Sequence, residues 1–207
     1  MKGSTLCGLG LSIFSPLVFA AGPPNDCSGI ENERNAADFL LKESADNAFL
    51  SDLSKTLASR RVSVADVLTS GNHVLTTASI TRPIEAYMWE HTDEFNDEAT
   101  TKWVPQGITS TADALAEGTY EERSAWIVSW HRDDNESVRV TFVDQSTKKY
   151  RHALLVVPIA KDNYGAIPVH AGGVVWYGNT LWVVDSRKED TGGAGFRVFD
   201  LTNIWTM

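Results

Sequence analysis

Two stretches of this chain repeat one another, and that repeat constrains the fold more than any single residue does. The first runs Gly107-Ile-Thr109, a loop, Trp126-Ile-Val-Ser-Trp-His-Arg132, a polar loop, and Val138-Arg-Val-Thr-Phe-Val-Asp144. The second runs Gly173-Val-Val-Trp-Tyr177, then Leu181-Trp-Val-Val-Asp-Ser-Arg187, a Gly-rich polar loop, and Phe196-Arg-Val-Phe-Asp-Leu-Thr202. Arg139 matches Arg197, and Asp144 matches Asp200. Each aspartate stands where its carboxylate can close a turn onto backbone amides.

The repeated unit is a small antiparallel meander. Short runs of β-type residues follow one another from Ser124, Ser137, Tyr150, Gly173, Thr180 and Gly195, with turn residues and no helices between them. Val138, Val140 and Phe142 alternate against Arg139, Thr141 and Val143. Lys149–Val157 adds a fourth strand to the first copy and ends at Pro158. Four strands in chain order make the blade of a β-propeller, and blades bury their faces only by stacking. The expected fold is mainly β, a partial β-propeller of about two four-stranded antiparallel blades over residues 74–207. A ring needs about four to eight blades. The expectation therefore divides among closure between chains, open strand edges and a shortened product.

A different segment precedes the repeats. Over 22–73, Phe49, Leu50, Leu53 and Leu57 recur with Ala36, Ala37, Phe39 and Leu40 at near-helical spacing. Ser63-Val64-Ala65-Asp66 predicts a capping box opening a short helix, and Ser70-Gly71-Asn72 ends it. Before this, Met1–Ala21 reads as a signal peptide: Lys2, an apolar stretch from Leu6 to Phe19, and small residues at Ala20 and Ala21. That stretch is about 14 residues, short of the ~20 a span requires. The chain is expected outside the cell, secreted, with no membrane partner.

Removal of the signal takes Cys7 and leaves Cys27 alone, which excludes an intrachain disulfide. Stability must then come from the core, and all seven tryptophans follow residue 88. The formal charge of -9 argues against nucleic acid, whose phosphates repel an acidic surface.

Val169-His-Ala-Gly-Gly-Val-Val-Trp-Tyr-Gly-Asn-Thr-Leu-Trp-Val-Val-Asp185, followed by Phe196–Leu201, resembles blades of secreted β-propeller proteins. Trp103-Val-Pro-Gln-Gly-Ile-Thr109 and Lys149–Leu155 are similar to uncharacterised secreted propeller-like proteins of fungi and actinomycetes. The resemblance covers roughly residues 80–205. It implies a fold and an extracellular location, and it brings no catalytic residue.

Three residues are candidates for ligand binding. His170 opens the first strand of the second copy, where an imidazole could ligate metal or act as a base. Gln106 occupies the matching place in the first copy. His152 lies on a strand, where packing or a hydrogen bond is the ordinary role. His131 reads as part of a solvated loop. The acidic run Asp93, Glu94, Asp97 and Glu98 reads as solvated too. No metal-spacing or nucleophile motif is present, and the residues leave the cofactor and any metal unknown. Asn135-Glu-Ser137 is an N-glycosylation sequon. The reading that follows is a non-catalytic extracellular binding module for a carbohydrate or protein ligand, with homo-oligomers as a further outcome. The alternatives are a metal-dependent propeller hydrolase or lyase led by His170, and a shortened product without independent activity.

Overall fold

A computed structural model describes residues 41–81, 83–186 and 195–207. The expected export signal, Cys27, Ala36 to Leu40 and most of the Gly-rich loop before Phe196 lie outside the described residues. From Asp46 to Met207 the chain forms one compact unit, and it is mainly β.

Two short helices lead into the sheets. Helix α1 (Leu50–Thr56) buries Leu53. Helix α2 (Val64–Thr69) begins at the expected capping box: Asp66 N donates to Ser63 Oγ at 3.1 Å, and Ser63 N donates to an Asp66 carboxylate oxygen at 2.9 Å. Its buried residues Val64, Val67 and Leu68 join the main core.

The first sheet is antiparallel and curled, and contains the first copy of the repeat. Strands β5 (Trp103–Ser110), β6 (Ala125–Arg132), β7 (Val138–Asp144) and β8 (Lys149–Ala160) lie side by side in chain order. Strands β2 (His73–Val74) and β9 (Asn163–Ala166) pair with β8. β8 runs through Pro158 rather than stopping before it. Beyond Leu155 it no longer pairs with β7, and β9 is its one partner among the described strands, an edge position that tolerates a missing amide donor. Asp144 and Asp200 close their turns as expected. Asp144 Oδ1 accepts from Ser146 N at 2.9 Å and Thr147 N at 2.8 Å, and Asp200 Oδ1 accepts from Thr202 N at 2.8 Å.

The second sheet contains the second copy as three antiparallel strands, β10 (Val174–Tyr177), β11 (Thr180–Asp185) and β12 (Gly195–Asp200). Strands β3 (Thr76–Thr77) and β4 (Tyr87–Met88) pair as a separate two-stranded hairpin. The chain then closes on itself: β1 (Arg61–Val62) pairs with β13 (Ile204–Trp205).

Side chains alternate across a strand, so register assigns each residue to a face. On the front face of the first sheet stand Ile127, Ser129, Val138, Val140, Phe142 and Leu155. On its back face stand Trp126, Trp130, Arg139, Thr141, Tyr150 and His152. The front face shares one core with Val174, Trp176, Leu181 and Val183 of the second sheet. β5 and β10, the first strands of the two copies, approach closely there. Trp176 N donates to Thr109 Oγ1 at 3.1 Å, and Ser129 Oγ donates to Ala171 O at 2.9 Å.

The repeat now gives the sense of the stacking. It matches Trp126 with Leu181, Trp130 with Asp185 and Arg139 with Arg197, so the back face of the first sheet corresponds to the core side of the second. It matches Ile127 with Trp182 and Val140 with Val198, so the front face of the first corresponds to the outer side of the second. The two copies therefore stack front to back, both facing the same way.

Candidate functional site

Three places on this framework gather side chains with chemistry. The first is the back face of the first sheet, where the segment after β4 folds over it. Every residue of β7 is buried, because the core covers one face and this segment the other. The segment places Asp97 against the sheet, 4% exposed. Arg139 Nη2 donates to Asp97 Oδ1 at 2.7 Å. Asp97 Oδ2 lies 2.7 Å from His152 Nε2 and accepts from the Tyr150 hydroxyl at 3.0 Å. The Arg139 guanidinium is sandwiched between the indoles of Trp103 and Trp130, at 4.7 and 4.6 Å.

The hydrogen bonds define a tautomer. Trp130 Nε1 donates to Thr141 Oγ1 at 2.7 Å, so the threonine proton is free to go to His152 Nδ1, also at 2.7 Å. His152 then carries its proton on Nε2 and donates it to Asp97. Burial lowers the His152 pKa, the Asp97 hydrogen bond opposing it. Burial alone would raise Asp97, but the hydrogen bond and charge of His152 and Arg139 outweigh it and hold the carboxyl at about 2. Burial also raises the Tyr150 hydroxyl far above its ordinary value. Both ring nitrogens of His152 are thus engaged. The cluster fastens the covering segment to the sheet. His73 extends it, stacked on Phe95 at 3.6 Å with Nδ1 3.3 Å from a Glu90 carboxylate oxygen.

The second place is a corner near the turn between β6 and β7. His170 is exposed, and its ring lies 4.0 Å from that of buried His131. His131 Nδ1 donates to the carbonyl of Arg132 at 2.7 Å, and His170 Nδ1 lies 3.0 Å from Asn135 Oδ1. Of the residues singled out from the sequence, the fold brings His170 and Asn135 together. It places His152 on the opposite face of the sheet. Gln106 is exposed on β5 at an irregularity between Pro105 and Ile108. Among the described residues no three His, Cys, Asp or Glu side chains gather as a metal-binding set.

The third place was not foreseen. The outer side of the second sheet presents Val175, Tyr177, Trp182, Val184, Phe196 and Val198. Tyr177 is 70% exposed, Val175 54%, Val198 49% and Phe196 48%. Trp182 lies among them, its ring 5.9 Å from Phe196 in an edge-on contact. The signal was present in the strands themselves: Gly173–Tyr177 and Leu181–Val184 are apolar at successive positions, and such runs seek cover on both faces.

No family model, curated protein or solved structure matches the chain. Among the described residues no helix is long and apolar enough to cross a membrane.

Proposed function

We propose that this is a secreted extracellular binding protein built as a propeller-like stack, which takes its ligand on the outer side of the second sheet. The single observation carrying this reading is the contiguous aromatic and apolar surface of Val175, Tyr177, Trp182, Phe196 and Val198. Contiguous apolar surface of this kind marks interaction sites. Tyr and Trp rings serve both carbohydrate and protein ligands, because they bury large area and keep a polar handle. Front-to-back stacking of the two copies, adjacency of their first strands, and the β1–β13 clasp support the propeller-like description. The first copy supplies four strands in order and the second supplies three. The resemblance to secreted propeller-like proteins and the signal-like start favour the extracellular assignment.

The test is titration of intrinsic tryptophan fluorescence with neutral oligosaccharides of increasing length, using the parent chain and Tyr177→Lys. Saturable quenching in the parent that Tyr177→Lys weakens at least ~tenfold supports the reading, since a tenfold loss is about 1.4 kcal/mol, the scale of one aromatic contact. Binding that Tyr177→Lys leaves unchanged moves the site elsewhere.

An enzymatic reading draws on the histidine corner. His131 and His170 each commit Nδ1 to an oxygen acceptor, which orients Nε2 as metal-bound imidazoles are oriented. Zinc titration by calorimetry of the parent and of His170→Ala decides it: equal heats in both dismiss the corner as a metal site.

A further inference from the structure

We infer that the outer side of the second sheet is where a second copy of this chain docks, seating the covered back of its first sheet there, head to tail. This rests on reading that surface as a binding face, and it names the occupant.

The inference follows from the stacking already present in the chain. The front face of the first sheet is covered by α2 and by the second sheet, whose inward side corresponds to the back face of the first. The outer side of the second sheet is the repeat's equivalent of that covered front face: Trp182 stands where Ile127 stands, and Val198 where Val140 stands. Ile127 and Val140 are buried in the core that the two sheets share with α2, whereas Val198 is exposed. The same interface, repeated once more, asks for another back face.

This chain carries a back with apolar surface to offer. The β3–β4 hairpin lies over the back of the first sheet. Tyr87 turns inward, its ring 6.0 Å from Trp126, and Lys148 Nζ sits over both rings. Ile80, Ile84 and Met88 on the same hairpin are exposed. Among the described residues, one end of the stack thus shows an uncovered outer face and the other an apolar covering hairpin. The contact joins unlike surfaces, so it propagates as a ring or an open filament rather than stopping at a symmetric pair.

The experiment is light scattering of the secreted chain over a concentration series, with Val198→Lys on the face, Ile84→Asp on the hairpin, and an equimolar mixture of the two. The expected result is mass rising in whole copies for the parent and a monomer for each variant, with unchanged near-ultraviolet dichroism. The mixture should form a dimer and nothing larger, because it leaves one intact face opposite one intact hairpin. A parent that is monomeric at every concentration overturns the inference. So does an Ile84→Asp chain that still associates, since that means face meets face. If Val198→Lys fails to fold, Tyr177→Lys carries the same expectation from a more exposed position. The oligosaccharide titration is scored separately. A monomeric parent whose sugar binding is lost in the face variant keeps the binding face and removes the second copy. Association without sugar binding keeps the second copy and removes the carbohydrate.

Discussion

His152 Nε2 donates a hydrogen bond to Asp97 across 2.7 Å, and its Nδ1 accepts one from the Thr141 hydroxyl, also at 2.7 Å. A second proton on the ring would have to displace the threonine hydroxyl's donation. That agrees with the lowered pKa that burial imposes on this histidine.

Stability should therefore fall on acidification. Between the ordinary histidine value of 6.5 and its lower folded value, the unfolded chain binds more protons, so His152 withdraws stability as pH falls below about 6.5. Asp97 adds the same sign lower down, losing its contribution between its ordinary 3.8 and about 2. Urea midpoints at pH 7.5, 5.5 and 3.5 should decrease in that order. His152→Gln should flatten the first step and shrink the second, because His152 is the strongest of the interactions that hold the Asp97 carboxyl down.

Removing one partner of the buried ion pair should cost more than removing both. Asp97→Ala strands Arg139 between two indoles with a buried, unanswered charge, at a cost of about 3–5 kcal/mol. Asp97→Ala combined with Arg139→Met should destabilise by clearly less than the sum of the single changes. Chemical denaturation of the four proteins in the cycle checks this, and strict additivity would contradict the pairing.

Gly107 of β5 lies against the start of β10. A Cβ there would meet Val174 Cγ1 at 3.1 Å, the Gly172 carbonyl at 3.2 Å and Ser129 Oγ at 3.2 Å. Gly107→Ala should destabilise by about 1–3 kcal/mol as overpacking does. Gly172→Ala, whose Cβ would meet nothing within 4 Å, should be near neutral. Thermal unfolding of the two variants separates a specific close approach from a general intolerance of alanine in this region.

Self-association should strengthen with salt. The chain carries a formal charge of -9, and copies repel one another at low ionic strength. The proposed contact is apolar, so screening removes repulsion and leaves attraction. Light scattering at about 0.02 M and 0.5 M sodium chloride should show larger species at the higher salt.

Much of the framework was legible in the residues, and what was missed has physical causes. The alternation along β7, the capping box at Ser63 and the turns at Asp144 and Asp200 are all local patterns, encoded within a few positions. Asp97 was not legible. It sits in an acidic run whose other members are exposed, and only the long-range return of the chain over the sheet separates it from them. Arg139 held half of the clue: a guanidinium at a central strand position requires an anion, but the strand pattern cannot say which. His131 was read as a solvated loop residue and is instead buried at the end of β6, because the strand runs on to Arg132. The outer surface of the second sheet escaped notice because apolar runs in a strand look the same whether a neighbour covers them or not.

The clasp between β1 and β13 has a mechanical meaning. Arg61 pairs with Trp205 and Val62 with Ile204, so the ladder's outer rung joins the incoming end of one strand to the outgoing end of the other. Tension applied through the two ends pulls both strands from the same side. The bonds then open one after another, like a zipper, instead of sharing the load as in shear. Under traction α1, tied by Ser54 to Asn203 and by Thr56 to the Lys161 carbonyl, must also come away, and this short ladder should open at low force before the stacked sheets yield.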